Sequence, residues 1–514
     1  MLLRETSKII SDAPSRERGT IVLQVLLFAS IAIVMLSGIV GWGIANSKAA
    51  RFAEQRERAF QIAEAGIDYY RWHLAHNTTD FQDGRATTGP YVHEFTDKDG
   101  NILGSYTLDI TPPPFGTTIV TVKSTGTTSS TPPISRTIEA KFAIPSLARF
   151  AVVANGTMRF GVGTEIFGPI HANGGVRFDG LAHNVVSSSQ ASYDDPDHSG
   201  ANEFGVHTHV NPPPGSGTND TFRAQEAPPT DPVPARTDVF EIGRQFPLPA
   251  VDFAGLTSDL ASIRASTQIT GYYWGPSGAQ GYHVVLRTND TFELYRVNTL
   301  VDPTCASSGQ SGWGSWSIAT TTPGAQTLLG TYPFPADGLM FFEDHLWVDG
   351  KINTARLTIG AATFPDNAAT RKSITVDYDL EYTNYDGQDV IALIAQNNIN
   401  VGLTSSDFLR IDAALVAQNG RIGRYLYSSA CDPYGRPYYR RNTITLYGML
   451  ATNERYGFSY TGSTFQCSDL TWRGSGYCYR NITYDTNLLY GPPPSFPITG
   501  SQYEVISWRE IANP

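Results

Sequence analysis

From Thr20 to Ser47 the chain carries no charged residue: TIVLQVLLFASIAIVMLSGIVGWGIANS. A helix rises about 1.5 Å per residue and about 20 residues cross a bilayer core, so this run is long enough to span one. Ahead of it lies a polar leader, residues 1–19, in which Arg4, Lys8, Arg16 and Arg18 outweigh Glu5, Asp12 and Glu17. Basic residues on that flank, with no comparable cluster at Asn46–Ser47, place the leader in the cytoplasm and the bulk of the chain outside. A cleaved secretory signal would have a shorter apolar region and a small-residue site after it. Here the run is longer and Lys48 follows without such a site.

The next segment, KAARFAEQRERAFQIAEAGIDYYRWHL, has no proline and carries an apolar seam at Phe60, Ala63, Ile67, Tyr70 and Leu74. Those positions recur at helical spacing and share one face. The expectation is a single rod reaching about Leu74, whose outer half packs against a folded domain or neighbouring subunits.

This combination resembles type IV pilins and type II secretion pseudopilins, especially minor pilins with a PilX-like N-terminus. The residues that carry the likeness are Arg16, Arg18 and Gly19 closing the leader, the uncharged helix, and AFQIAEAGI at Ala59–Ile67. It covers about residues 14–75. The resemblance implies cleavage between Gly19 and Thr20 by a prepilin peptidase, methylation of the new amino group, and a helix set in membrane lipid. It also implies assembly with other pilins or pseudopilins through Gln24, Phe60, Ala63, Glu64 and Ile67. Small residues at Gly38, Gly41 and Gly43 let membrane helices approach closely.

The family usually has glutamate at the fifth mature position, where this chain has Gln24. In a filament that carboxylate would neutralise the N-terminus of an adjacent subunit, since an unpaired charge in lipid is costly. Gln24 offers hydrogen bonds and no charge. A subunit at the tip has no earlier one to neutralise, which points to a tip or initiating position. The alternatives are an ordinary position served less well by glutamine, and a signal anchor that never polymerises.

Beyond the helix, composition narrows the class. Only 17% of the 514 residues are charged, against about 25% in an average soluble domain. Aromatic residues are plentiful, so there is ample apolar area to offset chain entropy, and a mainly disordered chain is excluded. A net charge of -11 argues against nucleic acid as a partner. Tyr91–Phe95, Ser105–Ile110, Thr118–Ser124 and Arg136–Phe142 alternate apolar and polar residues as half-buried strands do.

From Phe150 short apolar strands recur before Asn or Gly corners: FAVVANGTMRF, GPIHANGGVRFDG, VIALIAQNNINVG, IDAALVAQNGRIG and ITLYGMLATNERYG. Stacked coils of a β-helix need such corners, where Asn and Gly tolerate a left-handed backbone. This body resembles the bactofilin-like β-helical bodies found behind PilX-type N-termini, over Phe150–Gly180 and Gly338–Pro514. The YDTNLLYGPPPSFP stretch at Tyr484–Pro497 and the closing SWRE at Ser507–Glu510 belong to that likeness.

The expected fold is therefore mainly β, with a long N-terminal transmembrane helix, a small antiparallel sheet and a β-helix-like body carrying an inserted α+β lobe. Its segments are a leader (1–19), the transmembrane and assembly helix (20–77), a small β domain (78–145) and a first β-helix part (146–204). The inserted lobe (205–337), a second β-helix part (338–460) and a C-terminal cap (461–514) follow. Within the lobe, VDFAGLTSDLASIRAS reads as a helix with Leu260 and Ile263 on one face, and GYHVVLRTNDTFELYRV as a hairpin around Thr288–Thr291.

Chemistry-bearing residues are sparse. Cys305, Cys431, Cys467 and Cys478 all lie beyond the membrane run, which suggests two disulfides; of three pairings, Cys467–Cys478 with Cys305–Cys431 is favoured. No zinc-like cysteine spacing is present. His207 and His209 would face one side of a strand, with Asp194, Asp195, Asp197 and His198 nearby in sequence. A metal set and plain polar loop residues are both open there, and the loop reading is preferred. Asp377 and Asp379, with Asp344 and Asp349, are candidates for the paired carboxylates of a glycan hydrolase, or ordinary solubilising residues. Tyr272–Trp274, Trp313 and Trp316 suit a sugar or protein contact, or the lobe's own core. The preferred reading is a non-enzymatic subunit without a cofactor, with a surface glycan or protein as the candidate ligand. The rival is an anchored β-helical protein that binds or cleaves polysaccharide.

Overall fold

The computed structural model describes residues 18–114, 117–253, 256–432, 437–460, 474–498 and 502–512. α1 (Arg18–His76) is one unbroken helix. It contains no proline, so nothing removes a rung from its hydrogen-bond ladder. From Thr20 to Glu54 every residue is exposed. Past that point one stripe turns inward: Ala59, Ile62, Ala63, Ile67, Tyr70 and Leu74 are buried.

That stripe lies on an antiparallel sheet of β1 (Tyr91–Thr96), β2 (Ile102–Thr111), β3 (Val120–Thr128) and β4 (Ser135–Ala143), in that order. Leu108, Val120, Val122, Ile138, Ala140 and Phe142 supply the sheet's side of the core. Small residues set the spacing between the layers. A Cβ at Gly126 would fall on the Ala59 carbonyl and the Ala63 backbone, and one at Gly66 would meet the Ser124 hydroxyl and the Tyr106 ring.

Past β4 the chain builds a three-sided parallel β-helix. One face stacks Tyr272–Trp274, Leu339–Phe342, Arg356–Ala361, Val390–Ala395 and the later parts of Phe408–Ala417 and Arg440–Thr452. It then continues through Val152–Ala154, Ile170–Ala172, Val186–Ser188 and Arg244–Gln245. The inward column of this face reads Met340, Ile359, Leu393, Leu415, Leu450, Val152, Ile170 and Val186, all buried in one core. A second column runs Leu380, Ile411, Leu446, Ile482, Ile166 and Ala182. Recurring asparagines form a ladder at one corner. Asn173 Nδ2 donates to Asn155 Oδ1 and Asn155 Nδ2 to Asn453 Oδ1, both at 2.9 Å, and Asn453 Nδ2 donates to the Asn419 carbonyl at 3.1 Å.

The fold class is thus as expected, mainly β with one long apolar helix. The order of the coils in space is not their order in the chain. The chain joins the stack in its middle at Val152, builds outward to Arg244, crosses to the far end and returns coil by coil. Its last coils then close against its first: Leu450 pairs with Val152, and Ile482 with Ile166. The crossing segment carries α2 (Leu256–Thr267), whose Leu260 and Ile263 cover the outside of the first face against Phe341, Ala362 and Val390.

Two expected boundaries change accordingly. Residues 205–337 do not interrupt adjacent coils; Val206–His207 and Gly281–Leu286, both within this segment, are strands at opposite ends of the stack. Residues 461–514 are not a cap, because Ser475–Tyr484 is a full stack strand and Glu504–Ile511 returns to pair with β4. In both cases open strand edges are satisfied by partners distant in sequence. The expected hairpin forms as Gly281–Leu286 with Thr291–Val297, and Gln326–Pro333 adds a third strand.

Candidate functional site

α1 presents two environments on one rod. Residues 1–17 of the leader lie outside the described residues; the helix begins at Arg18, so the Gly19–Thr20 junction falls in its first turn. Large apolar side chains from Ile21 to Ile44 are 43–72% exposed, and Gln24 is exposed among them. Among the described residues this is the one helix long and apolar enough to cross a membrane. Gly38, Gly41 and Gly43 have open space around them. An uncovered apolar surface of this extent is unfavourable in water and calls for lipid or other helices.

The outer half is already partnered. Ala63 and Ile67 are buried in the chain's own helix–sheet core, and Glu64 is half-buried beside them. Phe60 sits with the Arg136 guanidinium 4.5 Å from its ring centroid and Trp508 edge-on at 5.8 Å. Arg136 in turn pairs with Glu510 at 2.5 Å. The C-terminal strand therefore helps hold the helix, and the segment around Gln24 is left exposed.

The second concentration of chemistry lies at one end of the β-helix. Ser192–Tyr193 and Glu203–Phe204 form a short antiparallel pair, and Val206–His207 then lies parallel to Val176–Phe178. Residues two apart on an extended chain face the same way, which aligns His207 with His209. The turn between Tyr193 and Glu203 brings in Asp195 and His198. The result is a buried cluster. His209 Nε2 and His198 Nε2 lie 3.1 and 3.3 Å from Glu203 Oε2, and His207 Nε2 contacts the same oxygen. Asp195 Oδ2 is 3.4 Å from His207 Nε2 and 3.6 Å from His198 Nε2. None of the five side chains is more than 4% exposed.

Burial works against charge on both acids, but the closeness and field of the His207 imidazole outweigh it. The Asp195 carboxyl is held at about 2, and Glu203, which also faces His209, lies well below the usual carboxylate range. Burial likewise opposes charge on His207, and its two carboxylate neighbours override that and raise its pKa. Arg177 approaches Asp195 at 3.8 Å but spends its hydrogen bonds on Asp179 and Asp220.

The polar-loop reading of these histidines is corrected here: the loop folds back under its own hairpin and excludes water from them. Sequence reasoning gathered Asp195, His198, His207 and His209 but missed Glu203, whose signal is its position four residues before His207. Asp194 is exposed outside the cluster, and Asp197 pairs with Arg159 and Arg455 at 3.0 and 2.8 Å.

Of the other candidates, Asp377 and Asp379 sit in different environments, and Asp377 feels the field of Asp349. Asp377 is buried and accepts from the Gly402 amide at 2.7 Å, while Asp379 is exposed and accepts from the Arg410 amide at 2.9 Å. Asp344 binds Ser277 and Lys372, and Asp349 binds His283. Tyr272 and Trp274 pack with Phe292, Tyr332 and Phe342 at the end of the stack. Trp313 and Trp316 donate to the Leu426 and Gly312 carbonyls. Cys305 is joined to Cys431, and Cys478 is also disulfide-bonded; Cys467 lies outside the described residues. A groove of about 720 Å³ is lined by Arg159, Asp197, Gln310, Arg421 and Tyr460.

No protein-family model matches the chain, and no curated protein matches it. Among solved structures, the competence-associated pilin ComZ from Thermus thermophilus aligns over 89% of this chain and 98% of its own, at 12% identity and a TM-score of 0.28. At that score the likeness carries no argument, and the functional reading rests on the chain's own geometry.

Proposed function

We propose that the chain is a non-enzymatic, membrane-inserted subunit of a type IV pilin-like filament, of the minor pilin or pseudopilin kind, bearing a β-helical body outside the membrane. The observation that carries this reading is the division of α1: a half exposed from Thr20 to Glu54 and uncharged as far as Ser47, continuous with a half locked under the chain's own sheet. Such a rod transmits position rigidly from the membrane to the body. Its exposed half is suited to lateral packing with other pilin helices and, before assembly, to membrane lipid.

In this reading a prepilin peptidase removes the leader at Gly19, and Thr20 becomes the methylated N-terminus. Gln24, which supplies no charge, favours a position at or near the tip. Asp377 is buried and Asp379 exposed, which favours the structural reading over a glycan-cleaving rival that needs both in one groove. Adhesion to a surface glycan or protein is a further role open to the end of the body and its arginine-lined groove.

The test is the N-terminus of the mature protein, read by mass spectrometry from membranes or sheared filaments. A methylated peptide starting at Thr20 is the expected result. An intact leader on the surface-exposed protein overturns the pilin reading and leaves a plain membrane anchor.

A further inference from the structure

We propose that Asp195, His198, Glu203, His207 and His209 form a structural site for one divalent cation of the zinc class, which pins the terminal hairpin onto the end of the β-helix. The donor atoms converge: one atom from each residue, three imidazole nitrogens and two carboxylate oxygens, all lie within 4.8 Å of one another. Metal–nitrogen and metal–oxygen bonds are about 2.0–2.2 Å, so ligand atoms around one ion are about 3–4 Å apart. Three Nε2 atoms aimed at the single oxygen Glu203 Oε2 are the arrangement expected of ligands facing a shared centre.

His198 and His209 each hydrogen-bond Glu203 as in a metal-free salt network, and it is His207 that departs from that pattern. A buried imidazole and carboxylate pair align an N–H along a lone pair, and buried polar atoms are rarely left unmatched. Here His207 Nε2, on a fully buried side chain beside two carboxylates, has no aligned hydrogen-bond partner, and neither has Asp195 Oδ2. Ring packing orients the imidazoles: His198 stacks on His209 at 4.9 Å, and His207 lies 5.1 Å from His209.

Charge points the same way. With the imidazoles neutral, as metal ligands are, Asp195 and Glu203 place two negative charges in a site closed to water, and Arg177, which reaches Asp195 at 3.8 Å, is shared with Asp179 and Asp220. Uncompensated buried charge is strongly unfavourable, and one divalent ion cancels both. Three nitrogen donors exclude calcium and magnesium, which prefer all-oxygen sites, and the lack of sulfur disfavours Cu(I). The ligands come from the turn at 195–198, the strand at 203 and the segment at 207–209, all from this chain. A closed, protein-only set is that of a structural ion, and it would tie the three segments to one another.

The experiment uses the full-length chain purified in detergent without chelator. Elemental analysis is expected to give about one zinc, or another first-row divalent metal, per chain. Stripping with a chelator is expected to lower Tm, and added zinc chloride to restore it, since a ligand that binds only the folded state stabilises it. Glu203→Gln keeps volume and removes one charged ligand. It is expected to weaken zinc at least about tenfold, because loss of an outer-shell partner alone costs about 10–100-fold. His207→Ala is expected to abolish stoichiometric binding, and circular dichroism reports whether that variant keeps its fold. The proposal is overturned if the wild-type chain carries no metal and shows no Tm change with zinc, manganese, cobalt or nickel. It is equally overturned if Glu203→Gln binds zinc as tightly as the wild type; the cluster is then an imidazolium–carboxylate network.

Discussion

The closure of late coils on early ones is open to a direct energetic test at Val152 and Leu450. The two are paired in register across the junction, and their side chains are 0% and 1% exposed. Leu450→Ala leaves a cavity in a tight column and should cost about 3–5 kcal/mol. Val152→Ala removes two methyl-sized groups at about 0.8 kcal/mol each plus a cavity contribution, or about 2–3 kcal/mol. Because each side chain forms a wall of the other's site, the second truncation removes contacts that the first has already lost. The double variant should therefore be less destabilised than the sum by about 0.5–1.5 kcal/mol. Urea unfolding of the detergent-solubilised chain, followed by circular dichroism, measures the cycle. Val152→Ala with Ile399→Ala, on another face and several coils away, is the control expected to be additive. Additivity of Val152 and Leu450 within about 0.3–0.5 kcal/mol would refute the closed order of the stack.

Two further outcomes follow from close packing and burial. Gly126→Val puts side-chain atoms where the Ala59 carbonyl and Ala63 backbone lie, so it should cost about 1–3 kcal/mol and loosen α1 from its sheet. Faster hydrogen exchange confined to residues 59–76 and the facing strands is the readout, and unchanged exchange there counts against the packing. Burial raises Asp377 from 3.8 to about 6 despite the Ser317 hydroxyl, the Gly402 amide and Arg424. The folded state thus holds a proton that the unfolded chain has released, and stability falls as pH rises from about 4 through about 6, by on the order of 3 kcal/mol. Asp377→Asn should gain on the wild type across that window in pH-dependent unfolding, whereas parallel profiles would contradict the assignment.

Much of the architecture is legible locally. The membrane run shows as an absence of charge, and the seam at Ala63, Ile67, Tyr70 and Leu74 follows from helical spacing. Strands β1 to β4 show as period-two alternation, and the coils as short apolar strands before Asn and Gly. Each of these is a property of a few consecutive residues, and the asparagines of the repeats do stack as a ladder. The histidine pair is legible too, as residues two apart on an extended segment.

What local pattern cannot carry is which coil meets which. The inward columns are nearly all Leu, Ile and Val, so Leu450 would stack on many coils equally well by composition, and the choice of Val152 is made by the path of the whole chain. The return of Glu504–Ile511 to β4 is of the same kind, an edge satisfied from the far end of the sequence. Glu203 joins His207, His209, His198 and Asp195 because a hairpin folds a loop back and shuts out water, and burial is a property of the assembled molecule. Periodicity specifies the elements, while the demand that edges, apolar columns and buried charges all find partners selects their arrangement.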